Sequence, residues 1–466
     1  MPVSDRYHPD PIHPTLGDVF FDVVSAARFP LHVLRYRNQR WAERVGLDTL
    51  TPAEWEAHFA RFEPLPGNLP QPLALRYHGH QFRSYNPNLG DGRGFLFAQL
   101  RDVEGRLLDL ATKGSGQTPW SRGGDGRLTL KGGVREVLAT SMLDALGVPT
   151  SQSFSLFETG ESLQRGDEPS PTRSSVLVRL GHSHVRFGTF QRLFHHGDVA
   201  ATRRLVEFAV THYLPEAAGA DDLPVAMLRA VTVRSARLAA AWMAAGFVHG
   251  VLNTDNMNVT GESFDYGPYR FLPTFDPGFT AAYFDAGGLY AYGRQPATVQ
   301  WNLERLADAL TPLAPQATLA TALAPYATTF REAFHAAVLT RLGVASVGPD
   351  EDAALVATVL AFLRESQIGV DRFFFDWHGG TASAERAAAS PAATHWTGQQ
   401  FDAFRRRVDA HAPIHPDRLS HPYYQGTAPC SLLIDEIETV WSAIADHDNW
   451  GPFEAKLAAI EVLRTA

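Results

Sequence analysis

The feature that most limits the folds open to this chain is a change in the period of its apolar residues near position 190. Between about residues 73 and 180 the apolar runs are short and alternate as half-buried strands do. Phe95-Leu96-Phe97-Ala98-Gln99-Leu100 and Arg106-Leu107-Leu108-Asp109-Leu110-Ala111-Thr112-Lys113 flank a turn at Glu104-Gly105, and Gln152 to Glu158 and Ser174 to Leu180 read as further strands. One helix interrupts them, from Leu130 to Leu146, stopped by Gly147 ahead of Val148-Pro149. From about residue 190 the period becomes helical, over 198–215, 224–247, 297–311, 316–342 and 350–366. Val299, Leu303, Leu306 and Leu310 recur at i, i+4, i+7 and i+11 and predict one buried helical face. A strand-rich half followed by a helical half predicts an α+β protein.

The two ends are read as extensions. Residues 1–72 combine Pro-rich breaks with one expected helix around Asn38 to Leu47, and are expected to wrap on the core. Residues 381–466 are read as an Ala- and Ser-rich linker or loop over Thr381 to Thr394, then a helical segment from Leu432 to Leu463. A formal charge of -9 and no extended run of Lys and Arg argue against a broad basic face for nucleic acid. The longest apolar stretch, Leu238 to Val248, is too short to span a bilayer. Met1 to Pro9 shows neither a basic nor an apolar leader region, so a cytoplasmic location is expected. Cys430 stands alone, which excludes an intrachain disulfide and a Cys-rich zinc site, and it is expected to be buried. Of 41 basic residues only Lys113, Lys131 and Lys456 are lysines, which draws attention to them, although codon bias gives the same count.

Several residues are suited to phosphate chemistry. Lys113 closes a strand on the face it shares with Asp109 and Ala111, and Glu136 follows on the next helix; a strand Lys aimed at phosphates needs such a carboxylate, though the pair could equally be a surface ion pair. Gly90-Asp91-Gly92-Arg93-Gly94 is either a tight hairpin or a turn whose backbone N–H groups approach phosphate oxygens. Lys113 to Arg127 holds five glycines in fifteen residues, with Asp125 and Gly126 among them, poor material for a core and good material for a polyphosphate site. Arg179 and Arg186 flank Gly181-His182-Ser183-His184, where guanidinium groups could clamp phosphate or simply face solvent. The pairs His78/His80 and His182/His184 have the spacing of one strand face but no evident third ligand for zinc, and His195 and His196 are expected to face solvent.

The segment His249-Gly250-Val251-Leu252-Asn253-Thr254-Asp255-Asn256, with Asp265-Tyr266-Gly267 nine residues on, resembles the catalytic loop and metal motif of protein kinases. Asn256 keeps the metal position, but Val251 stands where a kinase has its base. Asp255 is a carboxylate beside the metal Asn and can take a proton from a hydroxyl; the bland alternative for this tetrapeptide is an Asx-capped turn. The kinase likeness implies a bilobal fold with a β-rich N-lobe at 73–190 and a helical C-lobe at 191–380, between extensions at 1–72 and 381–466. Asn256 and Asp265 are oxygen ligands suited to Mg²⁺ or Mn²⁺.

In order along the chain, Tyr77 to Phe82, Leu89 to Arg93, Lys113 to Arg127, Val134 to Glu136, Val178-Arg179 through Arg186-Phe187-Gly188, Gly250 to Met257, Asp265 to Pro268 and Gln300 to Leu303 closely resemble the selenoprotein O (YdiU-like) family. These blocks span roughly residues 77 to 310. The resemblance implies a metal-dependent protein adenylyltransferase of kinase-like fold. It would transfer AMP from ATP to Ser, Thr or Tyr hydroxyls of proteins, with the nucleotide reversed relative to a kinase. By position it implies that Lys113, Arg179 and Arg186 hold the outer phosphates, with Glu136 orienting Lys113. Gly90, Gly92, Arg93, Asp125 and Gly126 would line the rest of the ATP site. Asn256 and Asp265 would hold Mg²⁺ or Mn²⁺, with Asp265 also at the nucleotide, and Asp255 would accept the proton. The alternatives are an atypical kinase moving the γ-phosphoryl group and a non-catalytic ATP-binding scaffold. The partners implied are ATP and acceptor proteins, with neither nucleic acid nor membrane. Two departures stand out: Arg83 occupies a usual glycine position and Phe95 to Leu100 replaces the family's usual sequence, and the region from about Pro413 matches poorly, so the family's C-terminal redox Cys is not carried over.

Overall fold

The computed structural model describes residues 3–166 and 168–466, so Met1 and Pro2 of the leader reading lie outside the described residues. An antiparallel sheet gathers most strands of the N-terminal half. Its order is Phe21–Val23, Leu73–Leu75, Leu96–Arg101, Leu107–Lys113, Thr172–Gly181, Gln152–Leu163 and Val33–Arg37. His8–Pro9 adds to Leu96–Arg101, and Leu128–Thr129 adds to Thr172–Gly181. The expected Glu104-Gly105 turn joins the two central strands, with Gly105 at φ +76°, a conformation glycine adopts without a Cβ clash.

The alternation of side chains gives this sheet two distinct faces. Leu108, Leu110, Val178 and Leu180 pack into a core with Trp55, Phe59 and Phe154. The register sets Leu177 opposite Lys113 and Arg179 opposite Ala111, so Lys113 and Arg179 share the other face. On that face lies the helix Leu130–Ala145, whose N-cap Thr129 accepts from the Gly132 N–H. This helix carries Glu136.

The second half is helical, through Val199–Tyr213, Leu223–Ala245, Gln295–Leu310, Gln316–Leu323, Tyr326–Leu342 and Pro349–Ser366. Val299, Leu303, Leu306 and Leu310 are all buried, as their spacing requires. The protein is thus a mixed α+β chain with an N-terminal antiparallel sheet and a C-terminal helical region.

The expectations change at several places. The helix expected over 316–342 is two helices, because Pro325 offers no N–H to continue the first. The segment Leu432 to Leu463 is likewise two helices, Ile434–His447 and Gly451–Thr465, separated where Asp448 turns to φ +47°. Thr381 to Thr394 is no linker: it holds the helical turns Gly380–Ser383 and Ala384–Ala388, and Ala387 is fully buried in the second core. Before residue 72, the strands His8–Pro9, Phe21–Val23 and Val33–Arg37 belong to the sheet itself, and the helix Pro52–Phe59, closed by a Thr51–Glu54 capping box, covers its apolar face. Short strands among prolines leave little periodic signal.

The C-terminal helices brace the helix that bears Glu136. Gly451–Thr465 packs along Leu130–Ala145, and Lys131 donates to Glu438 at 2.7 Å. Lys456 donates to Glu436 at 2.9 Å. At the joint between these helices, Arg173 reaches Asp448 at 2.8 Å, and Glu158 accepts from Arg35 at 2.6 Å and from Arg173 at 2.7 Å. Burial raises the Glu158 pKa, but the hydrogen bonds and charges of Arg173 and Arg35 outweigh it and hold the carboxyl below its ordinary value. A carboxyl with a depressed folded pKa contributes stability above its unfolded pKa and loses it as pH falls through the folded one. Glu158→Gln is therefore expected to cost about 2 kcal/mol at pH 7. In urea titrations the gap between wild type and variant should close as the pH falls below about 4.

Candidate active site

Lys113 lies at the end of its strand with only 4% of its surface exposed. Its ammonium donates to Glu136 from the helix behind it and, at 2.6 Å, to Asp265 from the loop in front. Arg179, from the neighbouring strand, adds a 3.3 Å contact to the same Asp265 oxygen. Asp265 sits at φ +67°, a left-handed conformation unusual outside glycine that turns its carboxyl back toward the sheet. Burial would raise the Asp265 pKa, yet the charges of Lys113, Arg179, Arg186 and Arg93 hold it well below the usual carboxylate range.

The loop from His249 to Asn256 is anchored from several directions. The His249 N–H donates to Gln295, its ring meets the Phe264 carbonyl at 3.1 Å, and Asn302 donates to the Leu252 carbonyl at 2.9 Å. Thr254 accepts from the His80 N–H and donates to Gln191, both at 2.7 Å. Asn256 donates through its amide nitrogen to the Val251 carbonyl at 3.0 Å. Arg186 donates to the Asp255 carbonyl at 2.8 Å and lies 4.3 Å over the Tyr77 ring. Asp255 itself is buried, and its Oδ1 has no hydrogen-bond partner. Burial pushes its carboxyl up to about 6, against the pull of Arg186. Gly79 packs so closely that a Cβ there would lie 2.8 Å from that Oδ1, so a side chain at this position would displace the Asp255 carboxyl.

The two glycine-rich segments zip together above this floor. Thr118 donates to the Asp91 carbonyl at 2.6 Å, Ser121 to the Gly92 carbonyl at 2.5 Å, and the Gly114 N–H to the Arg93 carbonyl at 2.6 Å. The Trp120 ring leaves no room for a Cβ on Gly90, and its indole N–H donates to Asp22 at 2.9 Å. Asp22 also takes two bonds from Arg76, so the N-terminal segment is tied to the Trp120 turn.

These elements enclose a cleft of about 690 Å³. Gly90, Gly92, Arg93, Lys113, Asp125, Gly126, Arg179, Arg186, Asp255, Asn256 and Asp265 all line it, and Glu136 stands behind Lys113. Seven Lys and Arg side chains face four carboxylates there, in a chain of net charge -9, so the cleft concentrates positive charge for a polyanion. Arg179 and Arg186 are buried, which removes their reading as surface arginines. Sequence reasoning missed Tyr77, Trp120 and Arg165 as lining residues. Trp120 lay inside a segment already singled out, whereas Arg165 lines the cleft from a distant segment, where it pairs with Asp125 at 2.8 Å.

The histidine pairs serve the scaffold. His182 meets the Leu107 carbonyl, His184 meets buried Asp109, His78 meets Tyr85 and His80 meets Gln191. His182 and His184 follow the strand that ends at Gly181, so they do not share a strand face as their spacing suggested. His195 and His196 are exposed. Cys430 is only half-buried rather than fully so, and its surroundings push its thiol up to about 11, largely by desolvation. No helix is long and apolar enough to cross a membrane among the described residues.

Residues 6–461 match the family described as "Protein adenylyltransferase SelO". The chain is 46% identical over 460 residues to the "Protein nucleotidyltransferase YdiU" of Synechocystis sp., covering 95% of this chain and 96% of that protein. It is 46% identical over 454 residues to the protein of that name from Gloeobacter violaceus, covering 95% and 93%. It is 35% identical over 469 residues to the one from Rhodopseudomonas palustris, covering 97% and 92%. The likeness therefore runs well beyond residues 77 to 310 and includes the region after Pro413 that was expected to match poorly. The chain belongs to the SelO/YdiU family of protein adenylyltransferases.

Proposed function

We propose that this member of the family is a bilobal, kinase-like enzyme that binds ATP in the cleft with its α-phosphate beside Asp255. The N-lobe would be 73–190 and the helical lobe 191–380, with extensions at 1–72 and 381–466. The observation that carries the reading is Asp255: a buried carboxylate with an unpartnered oxygen, facing a cleft lined by seven cations. A buried carboxylate without a donor is costly in a purely structural role; Oδ1 is packed against Gly79, and the acceptor hydroxyl would meet the carboxylate from the cleft side.

In the reaction, a Ser, Thr or Tyr oxygen of the acceptor protein attacks the α-phosphorus and its proton passes to Asp255. The new O–P bond forms as the bond from the α-phosphorus to the bridging oxygen of the β-phosphate breaks, and pyrophosphate departs. Lys113, Arg179 and Arg186 stabilise the negative charge of that leaving group. Glu136 keeps Lys113 oriented. Gly90, Gly92, Arg93, Asp125 and Gly126 form the remaining wall for the nucleotide.

The donor set suits a hard divalent cation, Mg²⁺ or Mn²⁺. The Asn256 amide nitrogen is engaged by Val251, which leaves its oxygen for a ligand, and Asp265 spends only Oδ1 on Lys113 and Arg179. When bound, such an ion neutralises phosphate charge and polarises the phosphoryl oxygens. The competing kinase reading finds no carboxylate at Val251, and a binding-only scaffold has no use for a buried base at Asp255.

Incubation with a protein mixture and ATP labelled on either the α- or the γ-phosphate is expected to label protein from the α-position alone, and EDTA should abolish the signal. Transfer from the γ-position would establish the kinase reading, and no transfer despite ATP binding would establish the scaffold. Asp255→Asn should lower the transfer rate by a factor on the order of 10² to 10⁴. Because the amide removes an unpaired buried charge, its melting temperature should equal or exceed that of wild type; a fall in both would mark Asp255 as structural.

A further inference from the structure

The mouth of the cleft carries an aromatic surface. Tyr283 is 83% exposed, Phe284 50% and Phe82 40%, and their rings touch in series: Tyr283 and Phe284 at 5.1 Å, Phe82 and Phe284 at 5.9 Å. Contiguous exposed apolar groups of this kind mark contact surfaces. The patch is continuous with the catalytic loop. The Phe82 N–H donates to both Asn253 at 3.2 Å and Tyr290 at 3.1 Å, and the Tyr290 hydroxyl donates to Asn253 at 2.6 Å. Asn253 lines the cleft two residues before Asp255.

The backbone at this place is costly. The hairpin joining Gly79–Gln81 to Ser84–Asn86 turns on Phe82 at φ +49° and Arg83 at φ +64°, where Asn and Gly are the favoured residues. Two bulky side chains are thus held in left-handed conformations and presented outward. Arg83 is exposed, lies 5.5 Å over the Trp301 ring, and pairs with no carboxylate among the described residues.

We propose that Phe82, Tyr283 and Phe284 form the docking surface for the acceptor polypeptide, taking an apolar side chain next to the modified hydroxyl while Arg83 takes an acidic one. The occupant follows from the reaction: a hydroxyl that reaches Asp255 brings its flanking residues against the rim beside Asn253. The unpaired guanidinium supplies the charge complementarity. This rests on the reading of the cleft as an adenylyltransferase site. The exposed aromatic patch and the strained turn then have one purpose, selection of the acceptor.

The test compares the full-length wild type with the Tyr283→Ser/Phe284→Ser double variant and with Arg83→Gly. ATP affinity is measured by calorimetry. Transfer from α-labelled ATP is measured to heat-denatured casein and to short synthetic peptides, each with one hydroxyl residue and varied neighbours. Wild type is expected to favour peptides with an apolar neighbour and an acidic residue beyond it. The double variant should bind ATP within about twofold of wild type, transfer label about tenfold more slowly, and lose the apolar preference. Arg83→Gly should lose the acidic preference while melting at the same or a higher temperature, since glycine relieves the turn. Equal transfer and unchanged preference in the variants would overturn the docking surface. No α-label on casein or any peptide from the wild type would instead overturn the reading of the cleft itself.

Discussion

The contact on which the rest of the site depends is the buried meeting of Lys113 with Glu136 and Asp265. It joins three elements from distant parts of the chain: a central strand, the helix packed on its face and the loop after the helical half begins. Burying an ammonium among apolar neighbours costs several kcal/mol unless it is paired, and each carboxylate would carry the same penalty alone. The three groups therefore hold one another in place, and the cleft can only exist where sheet and helical region are brought to this separation.

Two further constraints transmit that geometry outward. Behind Glu136, the terminal helices pack on the Leu130–Ala145 helix and pair with it through Lys131 and Glu438, so a segment remote from the cleft supports the helix that carries Glu136. Above it, direct hydrogen bonds join the two glycine-rich turns, and Trp120, packed on Gly90 and bonded to Asp22, ties them to the N-terminal segment. All three lysines of the chain thus act at buried or half-buried junctions, where one compact point charge bridges two elements.

Asp255 and Asp265 illustrate how environment separates two like groups. Both are carboxylates in the same cleft, and desolvation pushes both toward the neutral form. Asp265 faces Lys113 and Arg179 directly and stays ionised, whereas Arg186 spends its near contact on the Asp255 backbone carbonyl and leaves the side chain less compensated. One is suited to hold charge and the other to take up a proton.

Many of the residues that line the cleft were legible in the sequence because they belong to local patterns with their own physical signatures: strand alternation before Lys113, glycines at Gly90, Gly92 and Gly126, and the Asp255-Asn256 pair in a polar loop. The change of period near residue 190 likewise determined the α+β class, since apolar spacing alone decides which local structure can bury a face. Other features had no local signal. The strands before residue 72 pair with residues far along the chain, and Thr381 to Thr394 looks like a linker until Ala387 finds its core. Trp120 acquires its role only from Asp22 and Gly90, and Arg83 shows its cost only through its backbone angle. By itself the sequence determined the chemistry of the groups and the period of each segment, because both are properties of neighbours along the chain. Which charges lie unpaired, which aromatic rings remain exposed at the cleft mouth and which helix supports Glu136 were decided by tertiary structure alone, because burial and partnership arise only when distant segments meet.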